Sequence, residues 1–218
     1  GIGLLGALYV LAVVVRVSMA EQAYFGRSQL IPLSMEKPKF SHKNGTSPYG
    51  DGVYYVVRNG RRVMVWKQKI NGFQHVYGSA LAAAELGSPA SDALFCANEF
   101  VEAFFDVLTD KDGITARDLL DRRKDLHHNR RGRAIAEAVR SRGLSGEAAE
   151  QAILAVALQE TETGQAFIGH YKDPRVPQLL SEAEQGCPGL PPPFSLYRML
   201  GSAGEFLLSQ LRADGGPG

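Results

Sequence analysis

A chain of 218 residues, 44% hydrophobic and 22% charged, has the composition of a globular protein and enough material to bury one sizeable core. Its formal net charge of +1 excludes a protein built as a whole to coat nucleic acid or anionic lipid, so any basic function has to be local. The two cysteines, Cys96 and Cys187, lie outside any Cys-x-x-Cys pattern, which leaves zinc-ribbon and thioredoxin-type chemistry without support.

In chain order, Gly1 to Val15 carries no charge, Arg16 ends the run, and Ser18-Met19-Ala20 has the small-x-small form of a signal-peptidase site. Residues 1–20 therefore read as a signal peptide or a signal anchor. The run is shorter than the ~20 apolar residues of a spanning helix. A buried helix of the globular core is the third reading, disfavoured by Gly1, Gly3, Gly6 and three consecutive valines. Either leading reading implies contact with a membrane and an exported chain, periplasmic or extracellular. In such a compartment Cys96 and Cys187 are free to pair, although a core Cys96 and a loop Cys187 that never meet fit equally well.

Residues 21–51, with Pro32, Pro38, Pro48, Gly45 and Gly50, read as an irregular stalk. Val53 to Val57 and Arg62 to Trp66 are β-branched and aromatic runs on either side of Asn59-Gly60, which predicts a β-hairpin because both turn residues tolerate positive φ. From Asn71 the period becomes helical, and Gly87 and Pro89 close that segment. A second helix over Pro89 to Leu108 presents Leu94, Phe95, Phe100, Val101, Phe104 and Phe105, and the two form an antiparallel pair. Further helices are expected from Thr115 to about Lys124, Arg131 to Ser141, Ser145 to about Gln159, and Phe194 to Arg212, with 214–218 as a disordered tail. The expected fold is mainly α: about six helices packed as one orthogonal bundle with one β-hairpin, forming a single domain over 52–213.

The polar residues that break this apolar pattern carry the functional signal. His75 lies near the start of an apolar helix, Glu99 lies inside another, and Asp125, Asn129 and Arg133 follow at i, i+4 and i+8. Buried carboxylates are rare unless paired, so a Glu99 helix antiparallel to the His75 helix brings the two side by side. These residue types suit general acid and base work. They also suit a structural polar core of local side-chain pairs, with Gly132 allowing close helix packing.

The same stretch, Phe73-Gln74-His75-Val76-Tyr77 with Ala80-Leu81, then Glu99, then Asp125-Leu126-His127-His128-Asn129 with Gly132-Arg133, resembles an uncharacterised bacterial domain family of secreted proteins and polymorphic toxins. That family's pattern is Phe-x-His-x-Tyr/Trp-x-x-Ala-Leu, a Glu helix, and Asp-Leu-x-Asn-Asn-x-x-Gly-Arg. The likeness covers residues 71–138, and His128 departs from it where the family carries its first Asn. The resemblance implies a helical domain with a polar centre and supplies no established reaction.

Three other signals carry less. Asp110-Lys111-Asp112-Gly113-Ile114 suggests a calcium loop, but aligning Gly113 with the sixth position puts Leu108 first and Leu119 twelfth, where carboxylates are required, so it reads as a helix-terminating turn. The basic run Arg122, Arg123, Lys124, Arg130, Arg131, Arg133, Arg140 and Arg142 reads as a solvated face partly neutralised by Asp121, Asp125 and Glu137 rather than a lipid or nucleic-acid surface. His127 and His128 with His75 and Glu99 lack the i, i+4 histidine spacing of a zinc helix, so neither metal nor cofactor is expected.

The functional expectation is an exported bacterial envelope protein in which His75, Glu99, Asp125, Asn129 and Arg133 form a polar core or a recognition cleft for a protein partner or envelope substrate. The competing expectation is a hydrolase of lipid or peptidoglycan, with His75 as general base, Glu99 orienting it, and Asn129 or Arg133 stabilising negative charge.

Overall fold

The computed structural model describes residues 2–30, 39–109 and 115–179. Its helices are α1 (Ile2–Phe25), α2 (Lys67–Leu86), α3 (Ser88–Thr109), α4 (Ala116–Ser141) and α5 (Gly146–Thr163), with strands β1 (Ser41–Thr46), β2 (Gly52–Arg58) and β3 (Arg61–Val65) between α1 and α2. A short 3-10 turn, Val176–Leu179, follows α5. The strands form one antiparallel sheet in the order β1-β2-β3. The protein is thus mainly helical with a small sheet; the helix expected over Phe194 to Arg212, the 214–218 tail and the Asp110–Ile114 turn lie outside the described residues.

The hairpin forms where Asn59-Gly60 predicts it. Both residues have positive φ, 49° and 73°, and Arg58 pairs with Arg61 across the turn. Val63 and Val65, with Tyr54 and Val56 opposite them, turn one face of the sheet to the core, and β3 runs through Trp66 directly into α2. Trp66 is fixed by its indole N–H donating to the Gly169 carbonyl at 2.8 Å.

Three expectations change. The stalk over 21–51 is replaced by the last turn of α1 and by β1. Ser41–Thr46 has little strand character of its own, so its extended form comes from pairing with β2. The helices expected over 115–124 and 131–141 are one, α4, opened by a Thr115/Asp118 capping box. Its internal Gly132 faces α2 so closely that a Cβ there would stand 2.1 Å from Ser79 Oγ and 2.2 Å from the Val76 carbonyl oxygen. The intimate contact offsets what glycine costs a helix.

The third change concerns α1, which runs unbroken past Ala20. Val13, Val17, Ala20 and Phe25 recur on one side and are buried in the same core as Phe73, Val76 and Tyr77 of α2. Phe25 meets Phe73 edge-on with ring centroids 5.4 Å apart. Arg16 reaches both Glu85 of α2, at 2.5 Å, and Glu150 of α5, at 2.7 Å. The C-terminal half of α1 is therefore part of the domain, as the disfavoured buried-helix reading held, while Leu8, Leu11, Val15 and Met19 remain exposed along its other side. By length and composition α1 is also able to cross a membrane.

Candidate functional site

Four of the five residues singled out in the sequence converge where α2, α3 and α4 meet. The antiparallel course of α2 and α3 puts Glu99 opposite His75, and the close seating of Gly132 on α2 brings Asn129 and Asp125, one and two turns earlier on the same face of α4, onto the imidazole. His75 Nδ1 lies 3.0 Å from Asn129 Oδ1 and 3.8 Å from Glu99 Oε1; His75 Nε2 lies 3.6 Å from Asp125 Oδ1. All four residues are buried, His75 least so at 8% exposure. Arg133 does not join them: it pairs with Asp92 of α3 at 2.7 Å.

Two cations of the basic run complete the cluster, which corrects their reading as a solvated face. Arg122 donates to both the carbonyl oxygen and the Oε2 of Glu99, at 3.0 and 3.1 Å. Lys124, fully buried, donates to Asp125 Oδ1 at 2.5 Å and to Asn71 Oδ1, and lies 3.2 Å from Asp121. The helical spacing of Arg122, Asp125 and Asn129, i, i+3 and i+7, was the available signal for Arg122, and Asn71 stands one turn before His75. Elsewhere in the run, Arg131 pairs with Glu160 and Arg140 donates to the Ala83 carbonyl.

The charges set the protonation. Burial lowers the His75 pKa, but Asp125 and then Glu99 outweigh it, so the net direction is upward. Asp125 is driven up by burial, yet His75 and Lys124 hold it below the usual carboxylate range. Glu99 goes the other way: burial pushes it to about 8, against the pull of His75. Near neutrality Asp125 is therefore ionised, and His75 and Glu99 titrate as a pair in which the charge of each favours the charge of the other. Among the described residues, Glu99 Oε1 and Asn129 Nδ2 have no hydrogen-bond partner.

One ligand atom each from His75, Glu99 and Asp125 lies within 4.8 Å of the others. Their arrangement suits a proton better than a metal ion, because the two carboxylates face opposite nitrogens of the ring and Lys124 already occupies Asp125 Oδ1. His127 and His128 stand apart from the cluster: His127 Nε2 bonds the Ala166 carbonyl at 2.6 Å, and His128 Nε2 accepts the Ile168 N–H at 3.1 Å.

One side of the cluster opens. A groove of about 370 Å³ runs between α1, α2 and α3, and His75 forms part of its wall together with Val10, Val14, Val17, Leu94 and Phe95. His75 thus belongs to both the buried network and the apolar groove. Cys96, on the same stretch of α3, is disulfide-bonded; Cys187, the other cysteine of the sequence, lies outside the described residues. No family model, curated protein or solved structure matches the chain.

Proposed function

We propose that the chain is an exported, membrane-attached bacterial domain in which His75 is the acid–base residue of a hydrolytic site acting on an envelope substrate, with lipid favoured over peptidoglycan. The observation that carries the reading is the double membership of His75: it is held by Asp125, Glu99 and Asn129 within the fold and is reached from the α1–α2–α3 groove. The apolar walls favour an acyl-bearing substrate. The disulfide at Cys96 and the apolar α1 support export.

In this reading Asp125 keeps the imidazolium stable, Asn129 fixes the plane of the ring, and Glu99, with a pKa pushed to about 8, is the neighbouring group able to exchange a proton with it near neutrality. Arg133, committed to Asp92, is not the group that meets negative charge.

The experiment uses the full chain in lipid nanodiscs, because α1 supplies groove wall and core. His75→Ala is expected to lower hydrolysis of a phospholipid ester by at least about 10²-fold per folded molecule, the scale of acid–base assistance. The NMR pKa of His75 is expected above 6.5 and to fall in Glu99→Gln. A pKa near 6.5 that ignores Glu99→Gln would sink the acid–base site. A second reading, a purely structural polar core, draws on the neutralisation of Glu99 and Asp125 by Arg122 and Lys124. It expects the pKa shift together with a stability loss of about 3 kcal/mol in His75→Ala and no ester turnover.

A further inference from the structure

We infer that the α1–α2–α3 groove binds one acyl chain of a membrane lipid, taken up from the N-terminal end of α1 and stopped at its far end by His75. The inference deepens the proposed hydrolytic reading, and rests on it only for what happens at the polar end of that chain.

The dimensions suit a single alkyl chain. The groove follows α1 from Val10 to Val17, seven residues or about 10 Å of helix, and its volume of about 370 Å³ is at the small end of ligand pockets. Gly78 lies on its floor: a Cβ there would stand 3.3 Å from Phe95 and 3.7 Å from Val17, so the missing side chain lets both pack close over α2 at this level.

The wall chemistry favours an alkyl chain over an extended peptide. A peptide needs partners for its backbone N–H and C=O groups, whereas Val10, Val13, Val14 and Val17 face Leu94 and Phe95 with apolar side chains. The polar lining residues are Asn71, Gln74, His75, Asn98 and Glu102, which come from the stretches of α2 and α3 around the His75–Glu99 pair. An acyl chain ending in an ester has the same polarity profile.

The open end of the groove points to a bilayer as the source. Around Val10 the helix is uncovered on more than one side: Leu8 and Leu11 are 53% and 57% exposed, and Val10, nearly opposite Leu8 around the helix, is 40% exposed. A partner helix or a second copy covers one stripe, whereas lipid surrounds a helix. Tyr9, with its hydroxyl donating to Glu85 at 2.9 Å, marks the level at which apolar surface gives way to polar groups.

The test places the full-length chain in nanodiscs containing phosphatidylcholine with a diazirine on its acyl chain, followed by irradiation and peptide mapping. Labels are expected on Val10, Val13, Val14 and Val17 and on Leu94, Phe95 and Val101. Gly78→Leu, and independently Val14→Phe, should lower that labelling about tenfold while the response of the His75 pKa to Glu99→Gln is kept. Labels confined to Leu8, Leu11 and Met19, or indifferent to both filling variants, would overturn the inference. Groove labelling that persists where His75 titrates normally would sink the hydrolytic reading and leave the acyl site standing.

Discussion

His75 and His128 are both buried where α2 meets α4, and they differ in everything that concerns protons. His128 stacks on Phe167 with ring centroids 4.9 Å apart and accepts a backbone N–H from Ile168, so its Nε2 lone pair is engaged and the ring stays neutral. Burial, then the nearby Lys124, pushes its pKa well below the ordinary value. His75 is buried nearly as deeply, yet its neighbours are Asp125 and Glu99, and its pKa rises. Depth is therefore not what marks a proton-handling histidine. The sign of the charges within about 4 Å decides it, and a backbone donor at the ring nitrogen makes the residue structural.

Both environments depend on α4 lying flush against α2, so the largest expected effect comes from prising the helices apart. Gly132→Ala places a methyl group where Ser79 Oγ and the Val76 carbonyl already stand. Because neither neighbour is the flexible end of a long side chain, the cost is expected at about 3 kcal/mol, the upper end for overpacking, read from denaturant unfolding of the detergent-solubilised chain. The His75 and His128 pKa values should both return toward 6.5. A variant as stable as the parent would show that the helix contact does not organise either site.

A smaller effect isolates the His75 side. Glu99 ionises in the unfolded chain near the ordinary glutamate value of 4.5, whereas burial in the folded chain pushes it up to about 8. The folded state thus binds the extra proton, and stability falls as pH rises from about 4.5 to about 8. His75, raised above 6.5, acts in the same direction: its contribution is full below 6.5 and lost as pH rises through its folded pKa. Glu99→Gln keeps an acceptor for Arg122 and removes the first of these, so the alkaline-side decline should become shallower and the neutral-pH stability should rise by about 2 kcal/mol. An unchanged slope would mean that Glu99 is ionised in the folded protein.

How much of this was legible in the sequence follows from where each interaction originates. The hairpin was readable because Asn59-Gly60 fixes the turn locally, and the helical period and Gly87 gave α2 and its turn into α3. His75 and Glu99 were found as polar breaks in apolar helices, and Asp125 and Asn129 through their i, i+4 spacing and the family pattern. The burial of α1 was hidden by its uniformity: a helix apolar all round gives no face to choose. The burial of Lys124 and Arg122 was hidden because a charge run usually means solvent, and the acceptors Asn71 and Glu99 come from other helices. Arg133 shares a helix face with Asn129, but its partner Asp92 is set by the packing of α3 on α4.

The smallest effect isolates the His128 side and has the opposite sign. In the unfolded chain a histidine takes up a proton below about 6.5, whereas folded His128 resists it. The contribution of His128 to stability therefore falls as pH drops below 6.5, by at most about 1.4 kcal/mol per pH unit. His128→Asn abolishes this titration. It also shortens the acceptor that holds the Ile168 N–H, which costs about 1 kcal/mol at every pH. The diagnostic is therefore the slope rather than the level. Between pH 6.5 and 5, where Glu99 adds stability as pH falls and His128 removes it, the variant should gain stability with falling pH more steeply than the parent, while its decline from neutral to pH 8 stays the same, because that limb belongs to His75 and Glu99. If the acid limb kept its slope, another buried group would be responsible and the contrast between the two histidines would fail.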